Sequence, residues 1–340
     1  MKIMNWNIEW MNNWFSGNDT PVWGSNNLSA AHARDCAKKA AAVIMDIDPD
    51  LLCVQEGPSA TAEMDLFLAD HLSDANGPMY EAIVGSDGGA QKLYVLRRLD
   101  GKFAAMDRAT DALTQTLGDV WDADVNGDMM LEGYDFTRLP LVVDVDPIGS
   151  APIRIVVLHT KSKFVKFGES KWNDPNRRQE FVVQALEARR RISAEGFRLR
   201  VYLDSLLQED PEARIVVTGD WNDGPGRDLF ERSYLTHNVA DIVLGSTFTP
   251  DLIFHHPLLA HVQAPALFTA RFDDFVDGID DRPLLLDHFA ISPALVSWVE
   301  NAEINHQAFE AQLTGSGRAR EDRPSDHRPI TVELSAPLTI

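Results

Sequence analysis

Short apolar runs of strand length alternate along this chain with longer stretches of helical period, and several of the apolar runs end on polar residues. In the opening run, Lys2 to Glu9, a period of two puts Asn5, Asn7 and Glu9 on one face and Met4, Trp6, Ile8 and Trp10 on the other, as in a strand. Ser29 to Ile47 carries Cys36, Ala40, Val43, Ile44 and Ile47 at helical spacing, with Ser29 as N-cap and Pro49 as the stop. Leu51 to Gln55 reads as a buried strand that delivers Glu56 at its exit, where Gly57-Pro58 forces a turn. Ala60 to Leu72 is a second amphipathic helix, through Met64, Phe67, Leu68 and Leu72.

Gln91 to Arg98 and Leu139 to Asp146 read as strands of one sheet. Ile153 to His159 is a further strand, with Val157, His159 and Lys161 on one face, and Arg177 to Leu207 is a long helix turning Phe181, Ala185, Ala188, Ile192 and Leu199 inward. Arg214 to Asp223 is an apolar strand running into Asp220 and Asn222, which the same period places side by side. Gly219 and Gly224 bracket that end and stop the strand or a helix from continuing. Leu284 to Ser292 carries Asp287, and Ile330 to Leu334 is the last strand. Between them, Asp326 and His327 can share a site only if their segment is irregular, which Pro324 and Pro329 favour.

Three stretches break the pattern. Residues 11–28 form a loop whose Trp14 and Trp23 either meet bases or lipid, or pin the loop to the core. Asp122 to Asp128 has the opening spacing of a calcium loop, but Glu132 falls one place early for the closing ligand, so an Asn-Gly hairpin turn is the preferred reading over a Ca2+ site. Residues 224–283 read as an irregular insertion of loops and short strands that shapes substrate access, with His255 and His256 as loop residues rather than metal ligands.

Strands alternating with helices predict an α/β fold. The chain has 340 residues, which length alone would allow to split in two, but the polar strand ends are scattered from residue 7 to residue 327. Two independent domains would divide one constellation, so a single domain over 1–340 is expected. A net charge of −21 argues against tight nonspecific binding to nucleic acid or anionic membrane. The charge is uneven, however: 161–200 holds 11 Lys/Arg against 5 Asp/Glu, or +6, which leaves −27 elsewhere. Cys36 and Cys53 fit neither a disulfide framework nor a metal spacing. With no signal-like start and no membrane-length apolar run, a cytoplasmic protein is expected, or a secreted one if a signal was removed; a monomer is expected as well.

The polar strand ends suggest chemistry. Glu56 and Asp326, helped by Asn7 and Glu9, are hard oxygen ligands suited to Mg2+ or Mn2+, which would polarise a phosphoryl oxygen. His327, held by a carboxylate such as Asp287, would take a proton from water, while His159 and Asn222 donate to the phosphate. Lys161, Lys163 and Arg178, in the basic segment beside His159, are the candidate substrate contacts.

Six segments in this order resemble the endonuclease/exonuclease/phosphatase family, especially its bacterial nuclease-like members: Asn7 within Asn-Trp-Asn-Ile-Glu, Asp48 to Glu56, Leu158 to Lys163, Gly219-Asp-Trp-Asn222, Asp287, and Ser325-Asp-His327. The resemblance covers nearly the whole chain. It implies a four-layer α/β/β/α sandwich of two packed mixed sheets with helices outside, and metal-dependent hydrolysis of phosphoesters. It also implies that either Asp220 or His327 activates the water. Val157 stands where many members have Asn, and Trp221 replaces a commoner Phe. A nuclease acting on DNA or RNA is the leading expectation. A phospholipid, sphingomyelin or small phosphate ester is the alternative substrate within the same chemistry, and a non-catalytic binding module is the alternative outside it.

Overall fold

The protein is described by a computed structural model covering residues 1–17, 20–85, 89–125, 127–224, 228–235 and 238–336. Two larger sheets dominate it. One orders its strands Val299–Ile304, Ile330–Leu334, Lys2–Asn7, Leu51–Gly57, Lys92–Arg98 and Tyr80–Val84; the other orders Asp287–Ile291, Ile215–Asp220, Ile153–His159, Leu141–Pro147 and Phe103–Arg108. Both are mixed: Lys2–Asn7 runs parallel to Leu51–Gly57, and Ile153–His159 runs parallel to Ile215–Asp220, while the remaining pairings are antiparallel.

Period-two alternation explains how the sheets pack. Ile3, Leu51, Cys53 and Val95 of one sheet meet Val143, Ile155, Val157, Val216 and Phe289 of the other in one buried cluster. The opposite face of the first sheet, with Met4, Trp6, Leu52 and Val54, packs on the helices Ala30–Ile47 and Thr61–His71. The opposite face of the second, with Val156, Leu158 and Val217, packs on the helix Arg178–Glu209 through Ile192, Leu199 and Leu203. The arrangement is an α/β sandwich of mixed sheets with helices. Among the described residues no helix is long and apolar enough to cross a membrane.

Several sequence expectations change here. Gln91 to Arg98 and Leu139 to Asp146 do not share a sheet: Lys92–Arg98 pairs with Leu51–Gly57 and Tyr80–Val84, whereas Leu141–Pro147 pairs with Ile153–His159 and Phe103–Arg108. Alternation specifies a face, not a neighbour, and the two strands meet instead across the inter-sheet cluster. The described residues of the 224–283 stretch hold, besides the hairpin of Ala270–Asp274 and Ile279–Leu284 and a 3-10 turn at Pro250–Leu252, the short α-helices Leu229–Tyr234, Val239–Leu244 and Pro257–His261, each with a side-chain cap from Asp228, Asn238 or His256. Trp14 and Trp23 pin the 11–28 loop: both are buried, Trp14 beside Phe67 and Trp23 on Phe15. Neither is available to bases or lipid. In the stretch that resembled a calcium loop, Trp121–Ala123 pairs with Glu132–Tyr134 as a hairpin, and Asp124 accepts from the backbone N–H groups of Gly127 and Met129; Asn126 lies outside the described residues.

Candidate active site

On the face between the sheets each central strand is mostly apolar and places a functional polar group at one end. Ile155 and Val157 lead to His159, Val216 and Thr218 to Asp220, and Ile3 and Asn5 to Asn7, while Phe289 and Ile291 follow Asp287. Register does the rest, setting His159 beside Asp220 and Asp220 beside Asp287. Within each sheet the parallel pair brings its polar ends to one edge, and the Asn7–Asp220 hydrogen bond joins the two edges, so a buried polar group forms at one edge of an apolar core.

Period two alone would have sent Glu56 to the helix side with Val54. Its backbone instead takes φ 58°, the strand register shifts between Val54 and Gly57, and the carboxylate is re-aimed. Glu56 Oε2 accepts from Trp10 N at 2.8 Å and Gln91 Nε2 at 2.7 Å. Asn222 also departs from the expected periodicity. The strand stops at Asp220, and Asn222, at φ 51°, donates its N–H to Asp220 Oδ1 at 2.9 Å and its side-chain amide to Thr160 O at 3.2 Å. Asparagine tolerates this left-handed conformation better than most residues do. Gly219 is required for close approach, since a Cβ there would lie 1.8 Å from Leu158 O.

The 325–327 segment is irregular, as expected. Ser325 Oγ donates to Asn7 O at 2.6 Å and accepts from His327 N at 3.1 Å, and Trp6 Nε1 holds His327 O at 2.8 Å. His327 Nδ1 meets Asp287 Oδ2 at 2.7 Å, which turns Nε2 toward Asp220 Oδ2 at 3.9 Å. Asp220 Oδ2 also accepts from Asn7 Nδ2 at 2.9 Å and lies 3.5 Å from His159 Nε2. Asp287 is fully buried, and His159, Asp220 and His327 nearly so. Burial works against charge on His327, but the carboxylates of Asp287 and Asp220 outweigh it and hold the imidazolium well above the ordinary histidine range. Burial, reinforced by the cations of Arg138 and His327, keeps His159 neutral. Burial pushes Asp220 up to about 7.

Two observations bear on a metal. Among the described residues, Asp220, Asp287 and His327 are the trio of ligating side chains whose atoms approach within 4.8 Å of one another; Glu9, Glu56 and Asp326 do not converge that closely. The first trio is already joined by the His327–Asp287 hydrogen bond, which leaves Glu56 and Asp326 as the candidate carboxylate ligands. Around Glu56, Asn7 Oδ1 is buried without a partner, and among the described residues no donor bonds the Asp326 carboxylate. Uncompensated hard oxygens fit a divalent cation. Glu9, grouped with them by the sequence, is engaged by Arg323, which takes both its carboxylate oxygens, at 2.9 and 3.1 Å.

The basic segment is also spent differently from expectation. Lys163 is tied to Asp223 and Glu231, and Arg178 stacks on Trp172 and donates to its carbonyl at 2.8 Å. Arg189, Arg191 and Arg200 pair with Asp228, Asp135 and Asp204. Lys161 remains beside the site, its pKa lowered by burial and by Arg138. Sequence reasoning missed Gln91 and Arg138. Arg138 Nη2 donates to Gln91 Oε1 at 3.0 Å, and its charge acts on Glu56 and His159. Gln91 opens the 91–98 run and Arg138 immediately precedes the 139–146 run, so both mark strand entries, whereas most of the site residues read from the sequence mark strand exits.

No family model matches the chain, and no curated protein matches it. Solved structures do. The chain has the fold of the endonuclease/exonuclease/phosphatase proteins. Truncated TDP2 from Caenorhabditis elegans is 14% identical with a TM-score of 0.51, covering 98% of this chain and 97% of that one. The 3′ phosphatase NExo from Neisseria, bound to a product DNA hairpin, is 15% identical with a TM-score of 0.51, covering 99% and 100%. An endonuclease/exonuclease/phosphatase protein from Bacteroides vulgatus is 14% identical with a TM-score of 0.50, covering 98% of each chain.

Proposed function

We propose that this chain is a divalent-metal-dependent phosphodiesterase acting on nucleic acid, built as one domain of four layers, helix, sheet, sheet and helix. The layering is supported by the three apolar clusters that separate its parts. The observation that carries the function is one contact network, from Asp287 through His327, Asp220 and Asn7 to Glu56, assembled from five separate segments. A hydrolytic site needs an oriented acid–base pair, donors for a phosphate and hard oxygens for a cation in one place. The fold's occurrence in a phosphatase bound to a DNA hairpin supports a nucleic-acid substrate.

Glu56, Asn7 Oδ1 and Asp326 would hold Mg2+ or Mn2+, which would supply polarisation of a phosphoryl oxygen and charge neutralisation on the leaving oxygen. The protein's own residues do the rest. Asp287 fixes the His327 ring through Nδ1, so that the Asp220–His327 pair takes the proton of the attacking water. His159 Nε2, near Asp220, and the Asn222 amide line the place where a phosphate would be bound. Lys161 adds positive charge beside it.

Metal-stripped protein should fail to hydrolyse bis(p-nitrophenyl) phosphate, with Mg2+ or Mn2+ restoring turnover. Plasmid, single-stranded DNA, RNA and phospholipid vesicles then separate the substrates. Lipid turnover with intact nucleic acids would overturn the nuclease reading, and no turnover on any of them would favour a binding module.

A further inference from the structure

Beside the network lies a cavity of about 430 Å3 that no step above uses, lined in part by Trp10, Gln91, Lys92, Leu93, Phe136 and Arg138. Its lining is hydrogen-bonded to the site at Glu56, whose Oε2 accepts from Trp10 N and Gln91 Nε2, while Arg138 braces Gln91. Arg138 also reaches Thr160 O at 3.4 Å, the carbonyl that accepts from the Asn222 amide, so a group attached to a phosphate bound beside His159 and Asn222 would have this cavity within reach. Its volume lies in the lower part of the roughly 300–1,000 Å3 range of small-ligand pockets, which suits one nucleoside and not a duplex.

The lining is specific in kind. Trp10 keeps 53% of its surface exposed, although the chain buries Trp6, Trp14 and Trp221 completely. Its backbone is left-handed at φ 51°, and that non-glycine conformation is held by the N–H bond to Glu56. The indole is thus presented at the mouth by the same carboxylate that serves the site. Phe136 and Leu93 are buried in the wall, and Lys92 forms no ion pair among the described residues. An apolar wall with one exposed indole and two cations fits a flat heterocycle carrying a phosphate, where an acyl chain would call for an apolar lining throughout. On a chain of net charge −21, long-range attraction to a polyanion is weak, and stacking would supply the affinity that charge does not.

We propose that this cavity is a nucleobase subsite that receives the base of the nucleotide bearing the scissile phosphate, stacked on Trp10, with Arg138 and Lys92 flanking its phosphate. The inference rests on the phosphodiesterase reading. The test compares thymidine 5′-(p-nitrophenyl phosphate) with methyl p-nitrophenyl phosphate, which share a leaving group and differ in the nucleoside. The ratio of their kcat/KM values should fall by about 10-fold or more in Trp10→Ala, mainly through KM, and return toward wild type in Trp10→Phe, as the scale of one base–aromatic stack requires. In parallel, thymidine 5′-monophosphate is titrated calorimetrically into wild type and Trp10→Ala, with binding expected to weaken by a similar factor. An unchanged ratio together with unchanged nucleotide affinity overturns the subsite and leaves the phosphodiesterase reading standing. Nucleotide binding that depends on Trp10 in a protein that cleaves no diester supports the subsite and overturns that reading instead.

Discussion

Replacing Asp287 with Asn changes the charge behind His327 while keeping its shape. Asp287 is fully buried, and its one hydrogen-bonded oxygen, Oδ2, lies 2.7 Å from His327 Nδ1. An asparagine carbonyl can still accept from that nitrogen, so ring orientation survives and the full negative charge is lost. Hydrogen bonds to charged groups contribute about 1.5–3 kcal/mol. If the bond is used fully in the transition state, the loss is roughly 10- to 150-fold in kcat/KM, at about 1.4 kcal/mol per tenfold. Stability should move much less. Asp287 Oδ1 is buried without a partner, so the carboxylate already carries a desolvation cost, and removing the charge relieves it while weakening support for the imidazolium. These opposing terms leave a net change within about 1 kcal/mol. The assay is hydrolysis of a chromogenic phosphodiester at saturating Mg2+, with urea unfolding of the same preparations. Activity within twofold of wild type in a folded variant would refute the orienting role of Asp287. A loss of activity that follows loss of folding would show the contact to be structural.

Glu56→Gln should raise the Mg2+ concentration for half-maximal activity at least ~10-fold, since it removes a charged ligand; an unchanged metal titration would displace Glu56 from the ligand set. Lys163→Met leaves the Asp223 and Glu231 carboxylates without their shared cation and should cost about 3 kcal/mol in urea unfolding, without altering the salt slope of oligonucleotide binding. A shallower slope in a fully stable variant would return Lys163 to the substrate. Gly219→Ala should destabilise by about 3 kcal/mol or more, because its Cβ would meet Leu158 O at 1.8 Å beside Asp220. Wild-type thermal stability in that variant would contradict this backbone packing.

Local periodicity determined much of this protein. Ile153–His159 and Ile330–Leu334 coincide with the runs read from alternation, and the helices Ala30–Ile47 and Arg178–Glu209 fall within two residues of the spans set by their apolar stripes. The same rule placed Asn7, His159, Asp220 and Asp287 at strand ends, because a buried strand tolerates polar residues only where the core stops. Tertiary structure decided what local pattern does not encode. Partner choice put Lys92–Arg98 and Leu141–Pro147 in different sheets, and a register shift with a left-handed residue turned Glu56 away from the face that alternation assigned it. Charge is the clearest case. Sequence registers the charged side chains of Lys163, Arg178 and Glu9, but Asp223, Trp172 and Arg323 are the groups they reach, two of them distant in sequence and the third on the neighbouring helix Gly168–Asn173. An ion's function depends on its nearest partner in three dimensions, because Coulomb attraction and desolvation are both set by local geometry.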